Sequence, residues 1–453
     1  MKDLAARLCA RGMSHGEAHA KTELFRRCAV ALDGLAGERS VASPPLYFFV
    51  PGRIEVLGKH TDYAGGRSLL CAMERGFTLL ATPRDDSRLR VVDSLRGEIR
   101  ELTLDPPPPA ELGAARGDWS NYVATVARGV ARHFPAARRG VDIAFASDLP
   151  AASGMSSSSA LVIGIFLALA AVNQLSDDAT YRRVITSPEA LGGYLGALES
   201  GRSYGPFAGD LGVGTLGGSQ DQTAILCCRA GMLSRYSFCP VRAEGEVPFP
   251  AERVFVVAYC GIAAEKTSSA LHKYNEASLA VTEIVRLWNQ SAGRADASLA
   301  DAIESAPDAT NEIRTVLRRS VAGEFTSQRL LDRFEQFVSE SCDIIPRATD
   351  AFARGDYAAI RHLVDLSQLG AESLLGNQVP ETIALCRLAL QHGADAASAF
   401  GAGFGGSVWA LVAAEHADRF VAAWRESYGG PFPVAAASAE FFVTRPGPGA
   451  MQL

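Results

Sequence analysis

Residues 149–161 read LPAASGMSSSSAL, and from Ala160 to Val172 the chain runs on as an unbroken apolar stretch. The preceding VDIAFASDLP reads as a strand that stops at Pro150. A Gly/Ser turn follows, and then a buried helix expected over Ser156–Asn173. The exposed N–H groups of a helix start, helped by the helix dipole, favour anions. Serine also caps helices, but a cap needs one serine. Capping accounts for Ser156 and leaves Ser157, Ser158 and Ser159, whose hydroxyls suit phosphate oxygens or a metal. No GK[ST] follows, so this is not a Walker A loop. Capping and phosphate binding both stay open for the stretch taken alone.

Two further segments are rich in glycine. Pro51–Gly66, PGRIEVLGKHTDYAGG, gathers Arg53, Glu55, Lys59, His60 and Asp62 around a turn between apolar strands. Such a cluster suits the hydroxyls of a polyol, and equally a solvated hairpin. Ala399–Val408, AFGAGFGGSV, reads as a tight turn between strands. Residues 200–222 are also glycine-rich, which marks sharp bends or close approach to a ligand. Elsewhere, helical spacing covers 17–35 and Tyr122–His133, and SPPLYFFVPGRIEVLG reads as strand, turn, strand. GFTLLATPRD, SRLRVVDSLRGEIRELTL and RVFVVAYCG read as strands, DPPPP at 105–109 as a stiff loop, and 265–292 and 297–370 as mostly helical. Strands early and helices late give an α+β chain of two domains, 1–240 and 241–453.

The 453 residues are 48% hydrophobic and 21% charged, which excludes a disordered chain, a collagen-like repeat and a coiled coil. A net charge of -6 argues against a nucleic-acid partner. Nine cysteines with no CxxC pair fit a reduced, cytoplasmic protein. The charged first residues lack a signal-peptide core, and the apolar run of about 13 residues falls short of the roughly 20 that span a bilayer, so no membrane is expected.

Read in order, five segments carry a resemblance: PGRIEVLGKHTDYAGG, GDWSNYV at 117–123, LPAASGMSSSSAL, GGSQDQ at 217–222, and AFGAGFGGSV. Together they resemble the GHMP kinase superfamily and, within it, the galactokinases, over roughly residues 45 to 415. The resemblance implies a ribosomal-protein-S5-like N-terminal domain, a C-terminal α+β domain and an active site in the cleft. It implies an enzyme, a monomer or weak oligomer, that moves a phosphoryl group directly from ATP, with Mg2+, to the anomeric C1 hydroxyl of a monosaccharide, galactose or a close relative. Asp221 matches the catalytic aspartate and Arg53 the arginine beside it. Gly154, Met155, Ser156, Ser157, Ser158 and Ser159 match the nucleotide loop, with Ser158 and Glu199 toward Mg2+ and Asp210 as the alternative carboxylate. Arg53, Lys59, His60, Asp62, Gly218, Asp221 and Tyr274 match the sugar side, and Gly403, Gly405 and Gly406 would close the site. Trp119 is expected in the core, and Asn121 and Tyr122 near the nucleotide or in the core.

Two positions depart from the pattern. Glu55 stands where galactokinases usually carry Asn, and Lys59 replaces the Glu whose carboxylate accepts from the C6 hydroxyl of galactose. A lysine only donates. It would suit a carboxylate at C6, as in galacturonate, unless it points to solvent. Two rivals remain: a non-catalytic sugar sensor, against which the intact serine loop and Asp221 argue, and a mevalonate- or homoserine-type kinase of the superfamily, against which HTDY at 60–63 argues.

Overall fold

Residues Leu46–Leu57 form one strand, β1, rather than the strand–turn–strand that Pro51 and Gly52 suggest. The ladder shifts register between Pro51 and Arg53, and such a bulge is where a sheet tolerates proline. Opposite Pro51 stands Gly76, where a side chain would run into the Val50 carbonyl and the Pro51 backbone. Alternation along β1 sends Phe48 and Phe49 into cores on opposite faces of the sheet. The structure, a computed structural model, describes residues 3–35, 44–105, 107, 118–264, 269–320 and 323–453, and side chains within 269–320 from 272 onward. The proline run 106–109 (Pro107 apart), Gly117 and the start of the helix expected from 265 lie outside the described residues.

The remaining strands are β2 (Arg67–Pro83), β3 (Arg88–Asp93), β4 (Glu98–Thr103), β5 (Val141–Ser147), β6 (Met232–Ser237), β7 (Arg242–Pro248), β8 (Arg253–Tyr259), β9 (Ala396–Phe400), β10 (Ser407–Ala413), β11 (Glu440–Thr444) and β12 (Met451–Gln452). The first sheet runs β12-β1-β2-β5-β3-β4, with β6 and β7 branching from β2. β2 is 17 residues long, so one of its edges holds β6 at Arg67–Leu70 and β5 at Phe77–Pro83. Among the described residues only the β3–β5 pairing in this sheet is parallel.

Helix Ser157–Val172 is apolar all round and packs under β1 and β2, as its unbroken hydrophobic run requires. Helix His15–Gly34 covers the opposite face, setting Phe25 and Cys28 against Phe49, Leu80 and Ala144. The second sheet, β11-β8-β10-β9, is antiparallel. Helices Pro380–Gln391 and Ala417–Gly429 cover one of its faces, while Phe255, Val257 and Trp409 on the other join the main core. A helical layer between 269 and 375 contains two π-helical turns, Val338–Ile344 and Ala371–Leu375. Among the described residues no helix is long and apolar enough to cross a membrane.

Gly76→Ala forces β1 and β2 apart at the bulge and is expected to cost about 1–3 kcal/mol, read as a lower denaturation midpoint. Gly16→Ala, at an open helical position, leaves the midpoint unchanged or slightly raised.

Candidate active site

Alternation along β1 puts Arg53 and Glu55 on one face, toward the cleft. Arg53 is 3% exposed. Its Nε donates to Asp221 Oδ1 at 2.8 Å and its Nη1 to the Gly154 carbonyl at 2.7 Å. One side chain therefore joins the strand, the serine loop and helix Gln220–Cys227. Asp221 lies in the first turn of that helix, where the dipole favours a carboxylate. Gly401, at φ 86°, brings the turn after β9 against the Gly154 carbonyl, a contact that leaves no room for a side chain.

Two cavities meet at this junction. The first is lined by Arg53, Glu55, His60, Asp62, Gly218, Asp221 and Tyr274, with Glu199 and Gln222 beyond them. The second is lined by the serine loop, Trp119, Tyr122 and Phe145. Arg53, Asp221 and Ala402 line both. The structure thus gathers the residues expected on the sugar side, Lys59 apart, into one cavity and most of the nucleotide loop into its neighbour.

Within the first cavity, Asp62 Oδ2 accepts the Gln220 N–H at 3.1 Å. Burial, with the Asp221 charge adding to it, raises the Asp62 carboxyl above its ordinary range. His60 is held on both ring nitrogens: Nε2 donates to the Ala402 carbonyl at 3.1 Å, so Nδ1 accepts from the Tyr63 hydroxyl at 2.9 Å. The Tyr274 ring centre lies 5.1 Å from that of His60, and burial pushes the Tyr274 phenol well up. Thr215 and Gly217 also line this cavity, so part of the long 199–221 segment belongs to the site.

In the second cavity Ser156 occupies the N-cap position of helix Ser157–Val172 at φ 64°, but its hydroxyl bonds no helix N–H. That corrects the capping reading. The Ser156 and Ser157 hydroxyls are buried without a partner, beside the free N–H groups of the helix start. Such orphaned donors fit phosphate oxygens. Met155 and Ser159 depart from the expected set. The Met155 side chain is in the core and only its carbonyl serves, accepting the Arg53 N–H at 3.3 Å. Ser159 faces the first cavity and donates to Glu199 Oε2 at 2.9 Å, which Gln222 Nε2 also reaches at 2.6 Å. Trp119 packs edge-on to Phe145 and lines the cavity wall.

Among the described residues no three His, Cys, Asp or Glu side chains are grouped to hold a metal. Mg2+ needs only one or two carboxylates besides phosphates and water, so Glu199 with Ser158 fits it. The Tyr122 hydroxyl, bonded to Ser158, senses the Glu199 charge. Asp210 is elsewhere, accepting from Arg128 at 2.5 Å and paired with Arg132 at 3.2 Å.

Lys59 neither lines the cavity nor reaches solvent. It is 1% exposed, and its Nζ donates to Ser398 Oγ at 2.8 Å and Ser367 Oγ at 3.1 Å. Ser367 passes the bond on to Glu340 Oε1 at 2.9 Å, which also accepts the Gly58 N–H at 2.8 Å. The ammonium is therefore drawn to a buried carboxylate on the π-helical turn, 281 positions away in sequence. Gln220 and Gln222, which fix the walls around Asp221, were missed in the sequence. Their signal was the pair of amides flanking the aspartate in SQDQ.

Residues 38–83 match the galactokinase galactose-binding signature, 121–194 the GHMP kinases N terminal domain and 348–430 the GHMP kinases C terminal region. The galactokinase of Chloroflexus aurantiacus is 29% identical over 387 residues, 83% of this chain and 86% of that protein. That of Chloroflexus aggregans is 29% identical over 398 residues, 87% and 90% of the two chains. Among solved structures, Lactococcus lactis galactokinase complexed with galactose shares the fold at a TM-score of 0.74 and 24% identity, covering 94% of this chain and 99% of its own.

Lys59→Glu, the residue usual in the matching motif, would set a second buried carboxylate one hydroxyl from Glu340. The expected result is a loss of about 3 kcal/mol in stability, measured by denaturant unfolding, with no change of sugar preference in the folded fraction.

Proposed function

We propose that this chain, which belongs to the galactokinase family of the GHMP kinase superfamily and is a sugar kinase, transfers the γ-phosphoryl group of ATP directly to the anomeric C1 hydroxyl of galactose or a close neutral relative. The observation that carries the reading is the junction itself. A cavity walled by hydroxyl-binding side chains and a cavity with orphaned serine hydroxyls share Arg53 and Asp221. A reacting hydroxyl and a phosphoryl group meet where two such cavities touch.

Phosphoryl transfer asks little covalent help of a protein; positioning and charge stabilisation supply the rate. In this reading Asp221 accepts a hydrogen bond from the attacking hydroxyl and takes its proton as the bond to phosphorus forms. Arg53, fixed at 2.8 Å from Asp221, orients its carboxylate and sets positive charge beside the transferring group. The Ser156 and Ser157 hydroxyls and the helix N–H groups hold the phosphates. Glu199 and Ser158 would hold Mg2+, which neutralises phosphate charge when bound. Glu199 in turn is oriented by Ser159 and Gln222.

The first cavity also speaks on the sugar. Glu55, Asp62, Glu199 and Asp221 set four carboxyl groups against the single guanidinium of Arg53. A uronate would meet repulsion there, and Lys59, the cation that favoured galacturonate, faces away.

The test is ADP release with Mg2+ against galactose, galacturonate, fucose and arabinose. Galactose is expected to be turned over in preference to galacturonate. Asp221→Asn should lower kcat on the order of 10²–10⁴-fold while leaving galactose binding measurable by calorimetry. Turnover of no sugar, or equal turnover by Asp221→Asn, would overturn the reading.

A further inference from the structure

We infer that Glu55 determines sugar specificity in the first cavity, its Oε1 accepting a hydroxyl hydrogen of the substrate. The inference rests on the sugar-kinase reading above. Glu55 lines the cavity, is 3% exposed, and its Oε1 has no hydrogen-bond partner. Its other oxygen is fixed. Ser68 Oγ donates to Gln220 Oε1 at 2.8 Å, which turns the Gln220 amide so that Nε2 donates to Glu55 Oε2 at 2.6 Å. A buried carboxylate oxygen left without a donor is costly, and a site that pays that cost waits for one. A sugar hydroxyl entering the cavity supplies it, and a hydrogen bond to a charged acceptor discriminates strongly against a sugar that lacks the donor. With Lys59 turned into the interior, Glu55 restores the acceptor that position 59 no longer offers.

The groups that face Glu55 are Arg53 on its own strand, Lys59 in the following turn, Gln220 on the Asp221 helix and Glu340 on the π-helical turn. Asp62, Asp221, Glu199 and His60 share the cavity. Burial, opposed by Arg53 and Lys59, lifts the Glu55 carboxyl to about 7. Above that pH it is a charged acceptor, and below it the carboxyl is protonated and the bond weakens.

Galactose binding by calorimetry and steady-state kinetics across about pH 6 to 8 compare the wild type with Glu55→Gln and Glu55→Asn, each checked by thermal unfolding. Expected are a rise of about tenfold or more in galactose Kd and KM, a change in kcat below about threefold, and an unchanged KM for ATP. The wild-type KM should climb toward the acid side and the variants should lose that limb. Folded variants with wild-type KM and the same acid limb, or a lowered melting temperature alone, would overturn the inference and leave Glu55 a structural residue. No galactose binding by the wild type would overturn the sugar-kinase reading and this one with it.

Discussion

A guanidinium cannot shed its charge inside a protein, so a buried arginine dictates what surrounds it. Arg53 is that residue here. Its forked donors demand acceptors, and those come from a carbonyl 101 positions away and a carboxylate 168 positions away. Satisfying one side chain therefore fixes the serine loop and the Asp221 helix relative to β1. Gly401, pressed on the same Gly154 carbonyl, brings the second sheet to the junction. The two cavities share a wall because these segments share a cation.

The second sheet and the turn at the cavity mouth are tied by smaller interactions of the same kind. His60 reaches across to the Ala402 carbonyl, and Arg333, fully buried, donates to the His60 carbonyl and stands beside the Tyr63 ring. Glu340 gathers the Gly58 N–H and, through Ser367, the Lys59 ammonium. The HTDY turn is thus held from within by the helical layer, and its outward groups are left to the cavity.

Much of this was readable in the chain. Local order made the strand–serine loop–helix unit legible, because an apolar run of about 13 residues after a Gly/Ser turn is too long for a buried strand. The same held for the turn between β9 and β10. The resemblance of five ordered motifs carried Arg53, Asp221, His60 and Asp62 to one place. What stayed hidden depends on partners far away in sequence. Nothing near Lys59 announces Glu340, Ser367 and Ser398, so its direction was out of reach. Pro51 looked like a strand break because its bulge is defined by Gly76 on the neighbouring strand. The four serines looked equivalent, yet helical geometry turns Ser159 to Glu199 and leaves Ser156 and Ser157 to the other cavity.

The pairing of β12 with β1 has a consequence for how the chain is made. Met451 and Gln452 lie beside Phe49 and Phe48, on the edge of the strand that carries Arg53. A ribosome delivers β1 some four hundred residues before that edge is covered. Until that segment arrives the first sheet holds an open, aromatic-rich border, a template for any other extended chain. The strand that carries Arg53 is therefore finished only when a segment some four hundred residues downstream has been added to its edge.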